Sequence, residues 1–371
     1  MPDAPQYNDA GSNTLGNLGN FIGGMNLPNL QKMGLGNIIP IKGVDNTPSP
    51  LASYGKMFEQ SKGKDSTSGH WEIGGLIVDV EFPLYPNGFP DEIINKFISE
   101  TGVKGILGNK PASGTEIIKE LGAEHVKTGY PIVYTSGDSV FQIAAHEEVI
   151  PLERLYEICK IARHKIMTGK DSVGRIIARP FVGTEGSFTR TTNRKDFSVD
   201  PFGYTILDTC SNAGIKTIAV GKVNDLFNYK GIDEKHHTKS NLEGIEEIIK
   251  VNKSVSSSLI FANLVDFDVY YGHRLDPAGY YKALQEFDGR LPEILDSMDE
   301  SDILIITSDH GNDPTTTSTD HSREYVPLLF YGKNIQPRSL GIRNTFADVA
   351  QTACRFFGLN NSLAGESFLI G

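Results

Sequence analysis

Acidic and imidazole side chains follow an aliphatic run near the carboxyl end of the chain. The run Ile303–Ile306 predicts a short buried strand, and it leads to Asp309 and His310. A loop rich in Ser and Thr then carries His321 before the apolar run Val326–Tyr331. Carboxylate and imidazole groups can ligate one divalent ion, and a histidine on the returning loop can serve a second. A single Asp-His pair is more often a helix cap or polar surface, so this cluster alone does not distinguish a metal site from ordinary polar residues.

A second apolar run ends in the same kinds of side chain. Residues 258–265 predict another strand, which delivers Asp266 and Asp268, and His273 follows. Open α/β sheets build their sites at the carboxyl ends of strands. Two strands that end in matching sets of donors favour a metal centre over a chance pair.

Three consecutive hydroxyl side chains, Ser66, Thr67 and Ser68, lie in the motif KDSTSGHWEI. A hydroxyl is a weak nucleophile until a metal ion lowers its pKa or a base removes its proton. Beside two metal ions, such a hydroxyl could accept a phosphoryl group. The commoner use of such a run is an ST turn that caps a helix. The residues alone leave both interpretations open.

A basic cluster stands out in an acidic chain. The segment RIIARPFVGTEGSFTRTTNRK contains a single acid, Glu185, and five cations: Arg175, Arg179, Arg190, Arg194 and Lys195. Arginine binds phosphate oxygens in a bidentate manner, which indicates a sugar-phosphate clamp. A solvated charged face is an equally good interpretation of the composition.

Bulk composition limits the class of protein. The 371 residues suffice for two domains, and the net charge of −11 argues against nucleic acid or anionic membranes as partners. No apolar run approaches the length of a membrane helix, and no signal peptide is evident, which predicts a cytoplasmic protein. Three distant cysteines fit a reducing compartment. No obligatory protein partner is evident.

Proline-rich stretches predict the domain boundaries. FPLYPNGFP and DFSVDPFG would be hinges that divide the chain into residues 1–81, 82–200 and 201–371. Helices are expected at residues 91–100 and from Pro151 to Ile166, with Arg163 toward solvent. Thr345 and Asp348 resemble a capping box for a helix over residues 346–357. Residues 1–50, rich in Gly, Asn and Pro, predict a loop-rich segment. Strands that alternate with helices predict an α/β fold with a largely parallel sheet.

The motifs together resemble a known family over nearly the whole chain. VDFDVYYGH, SDHG and TDH look like the alkaline-phosphatase superfamily, and SDHGNDPTTTSTDHSREYVPLL resembles more narrowly the phosphopentomutase family. The resemblance continues through GNKPASGTEI, YTSGDSV and IARPFVG. It implies an alkaline-phosphatase-like core, with helices flanking the sheet and an inserted α+β cap domain. The implied activity interconverts ribose or deoxyribose 1-phosphate and 5-phosphate through a phosphoenzyme, primed by a sugar bisphosphate.

The resemblance also implies roles for individual residues. Ser66 aligns with the nucleophile, at a position where the family usually has Thr. Two Mn²⁺ ions are implied, with ligands at Asp268, His273, Asp309, His310 and His321. Substrate contacts are implied at Asp138, Arg175, Ile177, Arg190 and Lys222.

One departure from the family motivates alternative functions. Family members begin with an apolar strand ending in a metal-binding Asp, and that first core strand appears absent before MPDAPQYNDAGSNTLG. The second metal site is therefore expected to be impaired. A metal-dependent phosphatase, in which water intercepts the phosphoenzyme, is one alternative, and a cap that excludes water argues against it. A non-catalytic relative that binds sugar phosphates is the other.

Overall fold

The computed structural model describes residues 4–79, 81–136 and 139–370. The chain divides into two compact units. Unit 1 comprises residues 1–80 and 201–371, and unit 2 comprises residues 81–200. Both units mix helices and strands, so the predicted α/β class is confirmed.

Unit 1 contains most of the helices. They are α1 (Thr14–Ile22), α2 (Pro28–Met33), α3 (Ser66–Ile73), α7 (Ile206–Asn212), α8 (Val223–Leu226), α9 (Asn241–Ser254), α10 (Pro277–Asp296) and α11 (Asp348–Phe356). Its strands are β1 (Ser53–Met57), β8 (Lys216–Val220), β9 (Glu234–His236), β10 (Ser258–Ala262), β11 (Ile303–Ile306), β12 (Val326–Gly332) and β13 (Ser339–Arg343). A π-helical turn covers Phe267–Gly272. Short 3₁₀ turns lie at Ala4–Tyr7 and Leu35–Asn37.

Unit 2 has three of the helices and a six-stranded sheet. The helices are α4 (Asp91–Thr101), α5 (Gly114–Thr128) and α6 (Leu152–Ile161). The strands are β2 (Leu107–Pro111), β3 (Ile132–Thr135), β4 (Val140–His146), β5 (Arg175–Val182), β6 (Thr189–Arg190) and β7 (Lys195–Ser198). A π-helical turn at Ala162–Ile166 follows α6, and a 3₁₀ turn lies at Gly169–Asp171.

The strands of unit 1 lie in two sheets. One sheet is parallel, with the order β10-β8-β9. The other has the order β11-β12-β1-β13, in which β12 runs antiparallel to both β11 and β1. The described strands of unit 1 thus form one parallel sheet and one mixed sheet, in which β1 and β13 are parallel, instead of the one largely parallel sheet that was predicted. The cause is that β11 returns directly to β12 through a loop, without the crossover helix that a parallel pair needs.

The two strands that lead to the candidate metal ligands lie at sheet edges. Among the described strands, β10 and β11 each have one neighbour, and the residues of both strands are half-buried. The prediction that Ile303–Ile306 is buried on both faces is therefore wrong. As predicted, β10 is followed by Asp268 and His273, and β11 is followed by Asp309 and His310.

The first 50 residues contain more regular structure than their composition indicates. Helices α1 and α2 form part of a hydrophobic cluster with α10. The buried carboxylate of Asp288 on α10 accepts hydrogen bonds from the backbone N–H groups of Asn29 and Leu30, at 3.0 and 2.7 Å. Long-range packing and capping of this kind order a segment that is rich in turn-forming residues.

Arg163 in unit 2 is buried, although the helical pattern placed it toward solvent. Its guanidinium donates to the carbonyl oxygens of Val173 and Met167, at 2.6 and 2.5 Å, and to Oγ of Ser172 at 2.8 Å. Arg163 therefore satisfies carbonyl groups of the segment that leads into β5. Burial lowers its pKa to about 10.

Three cysteines, Cys159, Cys210 and Cys354, are buried and free. Among the described helices, none has the length and apolar character required to cross a bilayer.

Candidate functional site

Three potential metal ligands converge in unit 1. One donor atom each from Asp268, His310 and His321 lies within 4.8 Å of the others. Oδ1 of Asp268 is 3.1 Å from Nε2 of His321 and 3.3 Å from Nε2 of His273. The rings of His310 and His321 stack with centroids 3.7 Å apart. A carboxylate and imidazoles at this spacing form a donor set suited to a divalent cation.

Backbone carbonyl groups orient the three histidines of this cluster. Nδ1 of His321 lies 3.0 Å from the carbonyl oxygen of Lys64, and Nδ1 of His273 lies 2.7 Å from that of Thr319. Nδ1 of His310 lies 3.1 Å from the carbonyl oxygen of Gly311. A carbonyl only accepts, so each Nδ1 carries a proton and each Nε2 turns toward the carboxylates. This arrangement is common around the histidine ligands of metal sites.

The electrostatics of the cluster favour ionised carboxylates. Burial raises the pKa of Asp268, but hydrogen bonds from His273 and His321 outweigh it and hold the pKa far below the usual range. Burial likewise raises the pKa of Asp309, but electrostatic interactions with His310 and His70, together with the hydrogen bond from His70, outweigh it and lower that pKa below the usual range. Both acids are therefore charged at neutral pH, as metal ligands must be.

The histidines are held in different protonation states. Burial lowers the pKa of His310, so its ring is neutral at pH 7. Burial also acts to lower the pKa of His321, but the hydrogen bond to Asp268 raises it above its usual value. A cation would take the place of the proton on Nε2 of His321.

Ser66 is the first residue of helix α3. Its Oγ lies 3.0 Å from Nε2 of His310, and because Nδ1 of that ring donates to a carbonyl group, Nε2 accepts a hydrogen bond from the hydroxyl. Asp65 caps the helix, because its side chain accepts from the backbone N–H groups of Thr67 and Ser68. The hydroxyl of Ser68 also donates to Asp65, at 2.8 Å, and its side chain is buried. Of the three hydroxyls, that of Ser66 therefore faces the histidine cluster.

Helix α3 packs directly against Asp309. A Cβ atom at Gly69 would collide with the carbonyl oxygen of Asp309, so the glycine permits the contact. His70 places Nδ1 3.0 Å from Oδ2 of Asp309 and 2.8 Å from the carbonyl oxygen of Ser66. His70 thus links the candidate nucleophile to a candidate ligand.

A cleft of about 460 Å³ lies in unit 2. Its cationic lining comprises Arg179, Arg190 and Arg194, and Thr115 also lines it. The remaining lining residues are Ile118, Pro180, Phe188, Thr189 and Thr191.

Comparison with known proteins identifies the family that the sequence motifs resemble, and the matches cover nearly the whole chain. A model described as the metalloenzyme superfamily matches residues 1–361. The chain is 57% identical over 370 residues to a protein named phosphopentomutase from Acetivibrio thermocellus, covering 100% of this chain and 95% of that one. It is 58% identical to a phosphopentomutase from Dictyoglomus turgidum, covering 100% and 93%. The chain belongs to the phosphopentomutase family.

One solved structure is matched at low identity. Protein PH0037 from Pyrococcus horikoshii matches with a TM-score of 0.49 and 15% identity, over 92% of each chain. The family that the motifs predicted is confirmed by the curated phosphopentomutases, and membership of the metalloenzyme superfamily agrees with the histidine cluster.

The residues that the phosphopentomutase resemblance singled out lie in several places. Ser66 and the five candidate metal ligands come together in unit 1. Lys222 is exposed in unit 1 and directly precedes helix α8, as its N-cap residue. Asp138 lies outside the described residues. Unit 2 holds Arg175, Ile177 and Arg190.

The cationic cluster of unit 2 divides between two locations. Arg190 lines the cleft, whereas Arg175 and Ile177 on β5 are not among its lining residues. Nη1 of Arg175 lies 3.6 Å from Oδ2 of Asp196. Arg179, which sequence reasoning placed in the cluster without a role, lines the cleft beside Arg190.

Several residues of the site escaped sequence reasoning. Nδ2 of Asn312 donates to Oδ1 of Asp268 at 2.6 Å, while the Asn312 Oδ1 is buried without a hydrogen-bond partner among the described residues. His70 lies in the motif KDSTSGHWEI without a predicted function. Its spacing of four residues from Ser66, which places both side chains on one face of a helix, is the signal in the sequence.

Asp266 has a structural role beside the site. Its Oδ2 accepts from the backbone N–H of Asn241, at 2.8 Å, and its own N–H donates to Oδ1 of Asn241 at 2.9 Å. This reciprocal pair joins the start of α9 to the end of β10. Asp268, two residues later, is the acid that faces the histidines.

Buried polar contacts fix the loop between β11 and β12. Glu324 accepts from the backbone N–H and hydroxyl of Thr14, at 2.8 and 2.7 Å. Arg323 donates to Oε2 of Glu59 at 3.0 Å and to the carbonyl oxygen of Gly63 at 2.6 Å. The loop that carries His321 is therefore tied both to α1 and to the segment before α3.

Proposed function

We propose that this protein is a phosphopentomutase that interconverts ribose or deoxyribose 1-phosphate and 5-phosphate. The observation that carries the proposal is the hydroxyl of Ser66, 3.0 Å from Nε2 of His310 and beside the convergent set Asp268, His310 and His321. Curated relatives 57–58% identical at full length carry the name of that activity. Sugar phosphates are the substrates that this activity requires.

Ser66 is the proposed nucleophile. Its Oγ attacks phosphorus and forms an O–P bond as the bond from phosphorus to the donor's oxygen breaks; the serine loses its proton and the leaving oxygen gains one. The phosphoserine then gives its phosphoryl group to one end of the sugar and recovers one from the other. A phosphate at the first residue of α3 is favoured by the partial positive charge of a helix N-terminus. A sugar bisphosphate is the proposed source of the first phosphoryl group.

Manganese is the proposed cofactor, with two ions per site. Asp268, His273 and His321 would hold one, and Asp309, His310 and Ser66 would contribute to the other. The donor chemistry fits, because Nε2 of each histidine lies 3.1–3.4 Å from a carboxylate oxygen of Asp268 or Asp309. When bound, divalent ions neutralise phosphate charge and acidify a nearby hydroxyl.

The remaining parts of the proposal follow the family. Unit 1 would be an alkaline-phosphatase-like core and residues 82–200 a cap domain that limits the access of water. Arg175, Ile177, Arg190 and Lys222 are proposed substrate contacts, and Asp138 is a further one outside the described residues.

Turnover and phosphoenzyme formation, measured on one preparation, test the proposal. The full chain with manganese should convert ribose 1-phosphate to ribose 5-phosphate after priming by a sugar bisphosphate. Release of inorganic phosphate in place of the isomer would show a phosphatase. Manganese binding without either reaction would show a non-catalytic relative.

A further inference from the structure

His70 on helix α3 joins two segments that follow strands of different sheets. Its Nε2 lies 3.2 Å from Nδ2 of Asn263, which directly follows β10, and its Nδ1 lies 3.0 Å from Oδ2 of Asp309, which follows β11. In the part of the chain that the structure describes, β10 and β11 belong to separate sheets and do not pair with each other. One imidazole therefore spans the ends of the two strands that lead to the candidate metal ligands.

The partners of this ring define its tautomer. Nδ1 of His70 faces two acceptors, the carboxylate of Asp309 and, at 2.8 Å, the carbonyl oxygen of Ser66. Neither a carbonyl group nor an ionised carboxylate donates, so Nδ1 carries a proton. Nε2 faces the amide N–H of Asn263, so it accepts a hydrogen bond and carries no proton. Asn263 thus holds His70 in the tautomer that donates toward Asp309 and Ser66.

Packing restricts the ring further. The side chain of His70 is buried, and its ring stacks on that of Phe261 in β10, with centroids 5.7 Å apart and planes inclined by 20°. The backbone N–H of Asn263 donates to the carbonyl oxygen of Val220 at 3.1 Å, which anchors that segment beside β8. A buried ring that is stacked on one face and hydrogen-bonded through both nitrogens keeps its partners at fixed positions.

Asp309 is the group whose orientation depends on this contact. Its Oδ2 accepts from His70 and also lies 3.4 Å from Nε2 of His310, the histidine that contacts Ser66. A rotation of the carboxylate would therefore change its distance to both histidines. Hydrogen bonds from groups behind a ligand orient it, and their loss typically lowers metal affinity or activity about 10- to 100-fold.

We propose that His70 is a positioning residue that, held in its Nδ1–H tautomer by Asn263, fixes the carboxylate of Asp309 relative to Ser66. A single N–H group bonds to the ligand carboxylate and to the backbone of the nucleophile, so the ion and the attacking oxygen share one geometry. In this role His70 neither ligates the ion nor exchanges a proton with the substrate. The hydrogen bonds belong to the fold of unit 1, whereas the manganese ion and the phosphoryl transfer rest on the proposed function.

Two substitutions separate positioning from packing. His70→Asn places an amide N–H close to the position of Nδ1 and keeps a donor for Asp309. His70→Phe keeps an aromatic ring against Phe261 and removes the donor. Trp71→Phe is the matched control, because it removes another buried N–H from α3, the one that bonds to the carbonyl oxygen of Leu226. All three are made in the full chain.

Manganese titration followed by electron paramagnetic resonance gives the first readout. We expect His70→Phe to lower the affinity for the ion that Asp309 would bind by about 10- to 100-fold, and His70→Asn to retain most of that affinity. Trp71→Phe should lower the melting temperature but bind manganese as the parent does. An unchanged affinity in His70→Phe, or an equal loss in His70→Asn or Trp71→Phe, would overturn the positioning role.

The tautomer in the unaltered chain gives a second readout, which does not depend on the folding of His70→Phe. Nitrogen-15 NMR of the metal-free protein should show a proton on Nδ1 of His70 and none on Nε2, with the resonances assigned by their loss in His70→Asn. A proton on Nε2 would overturn the proposal, because Asn263 could not then hold the ring as described.

Phosphorylation of Ser66 by a sugar bisphosphate gives a third readout. At saturating manganese, His70→Phe should lower the rate constant about 10-fold or more and leave KM unchanged, since His70 is not among the proposed substrate contacts. An unchanged rate constant would overturn the effect on phosphoryl transfer. A parent chain that binds manganese but forms no phosphoenzyme would remove the proposed function, and the role of His70 would then be decided by the first two readouts.

Discussion

The hydroxyl oxygen of Ser66 lies 3.0 Å from Nε2 of His310, although 244 residues separate the two in sequence. His310 follows the edge strand β11, and Ser66 begins α3. The contact depends on Gly69, which lets α3 approach the backbone of Asp309. The start of α3 and the end of β11 thus bring together the proposed nucleophile and the histidine that contacts it.

Replacement of Ser66 should abolish the phosphoenzyme. We expect Ser66→Ala to give no phosphorylated protein after incubation with a sugar bisphosphate and no measurable turnover, because the hydroxyl that contacts His310 is lost. Ser66→Thr should keep the activity, since the nucleophilic oxygen remains. Mass spectrometry of peptides locates the phosphate. Thr67→Ala is the control, and phosphate on Thr67 would contradict the assignment.

Metal affinity should depend on Asn312 as well as on the ligands. Asn312→Ala removes the donor that orients Oδ1 of Asp268, so manganese affinity should fall about 10- to 100-fold. His321→Ala should reduce it further. Titration followed by electron paramagnetic resonance measures the free ion. The exposed His237→Ala and Asn334→Ala serve as controls, and a control that loses as much affinity would indicate a general change in the fold.

Stability and metal affinity should respond to pH in opposite directions. In the metal-free protein the pKa of His321 is raised by its bond to Asp268, so the folded state holds that proton more tightly than the unfolded chain. This stabilisation is fully present below about pH 6.5 and is lost as the pH rises through the raised pKa. Manganese competes with the proton, so its affinity should increase over the same range.

Melting curves of the metal-free protein and manganese titrations at matched pH values measure both effects. His321→Gln cannot take up that proton, so both the melting temperature and the manganese affinity of this variant should depend less on pH. If the variant keeps the full pH dependence, other groups are responsible.

Glu72 should be a large contributor to the stability of unit 1. Its buried carboxylate accepts from the backbone N–H groups of Gln60, Ser61 and Phe346, at 2.9, 2.6 and 3.0 Å, and from Oγ1 of Thr345 at 2.8 Å. Glu72→Ala removes the acceptor of three buried donors and of the part-buried N–H of Gln60, so the free energy of unfolding should fall by about 3 kcal/mol or more. Urea denaturation measures the change. A loss no greater than that of the exposed Glu246→Ala would refute this role.

Local patterns predicted the elements that carry the site. The aliphatic run Ile303–Ile306 is strand β11 with the predicted bounds, and the run from Ser258 is β10, which ends at Ala262. The helix expected at residues 91–100 is α4, Asp91–Thr101. These predictions succeeded because both signals are local: hydrophobic periodicity, and ligand side chains that follow a strand directly, depend on residues that are neighbours in sequence.

Contacts between distant residues could not be predicted in the same way. Thr345 and Asp348 resemble a capping box, but Thr345 donates to Glu72, and Asp348 pairs with Arg343 at 2.6 Å. Arg163 has the position of a surface residue on a helix, yet tertiary packing surrounds it. The pairing of β11 with β12 and the convergence of Asn312 on Asp268 are likewise fixed by tertiary structure, which periodicity does not encode.

Trp71 is a fluorescent reporter for helix α3, which begins with the proposed nucleophile. It is the single tryptophan of the chain, is fully buried on α3 and donates from Nε1 to the carbonyl oxygen of Leu226, at 2.9 Å. Its ring meets that of Phe202 edge-on, with centroids 5.2 Å apart. Emission excited selectively from indole therefore comes from one place, five residues beyond Ser66. A paramagnetic ion held beside α3 would quench that emission, so the occupancy of the centre can be followed optically, without a label and during the reaction.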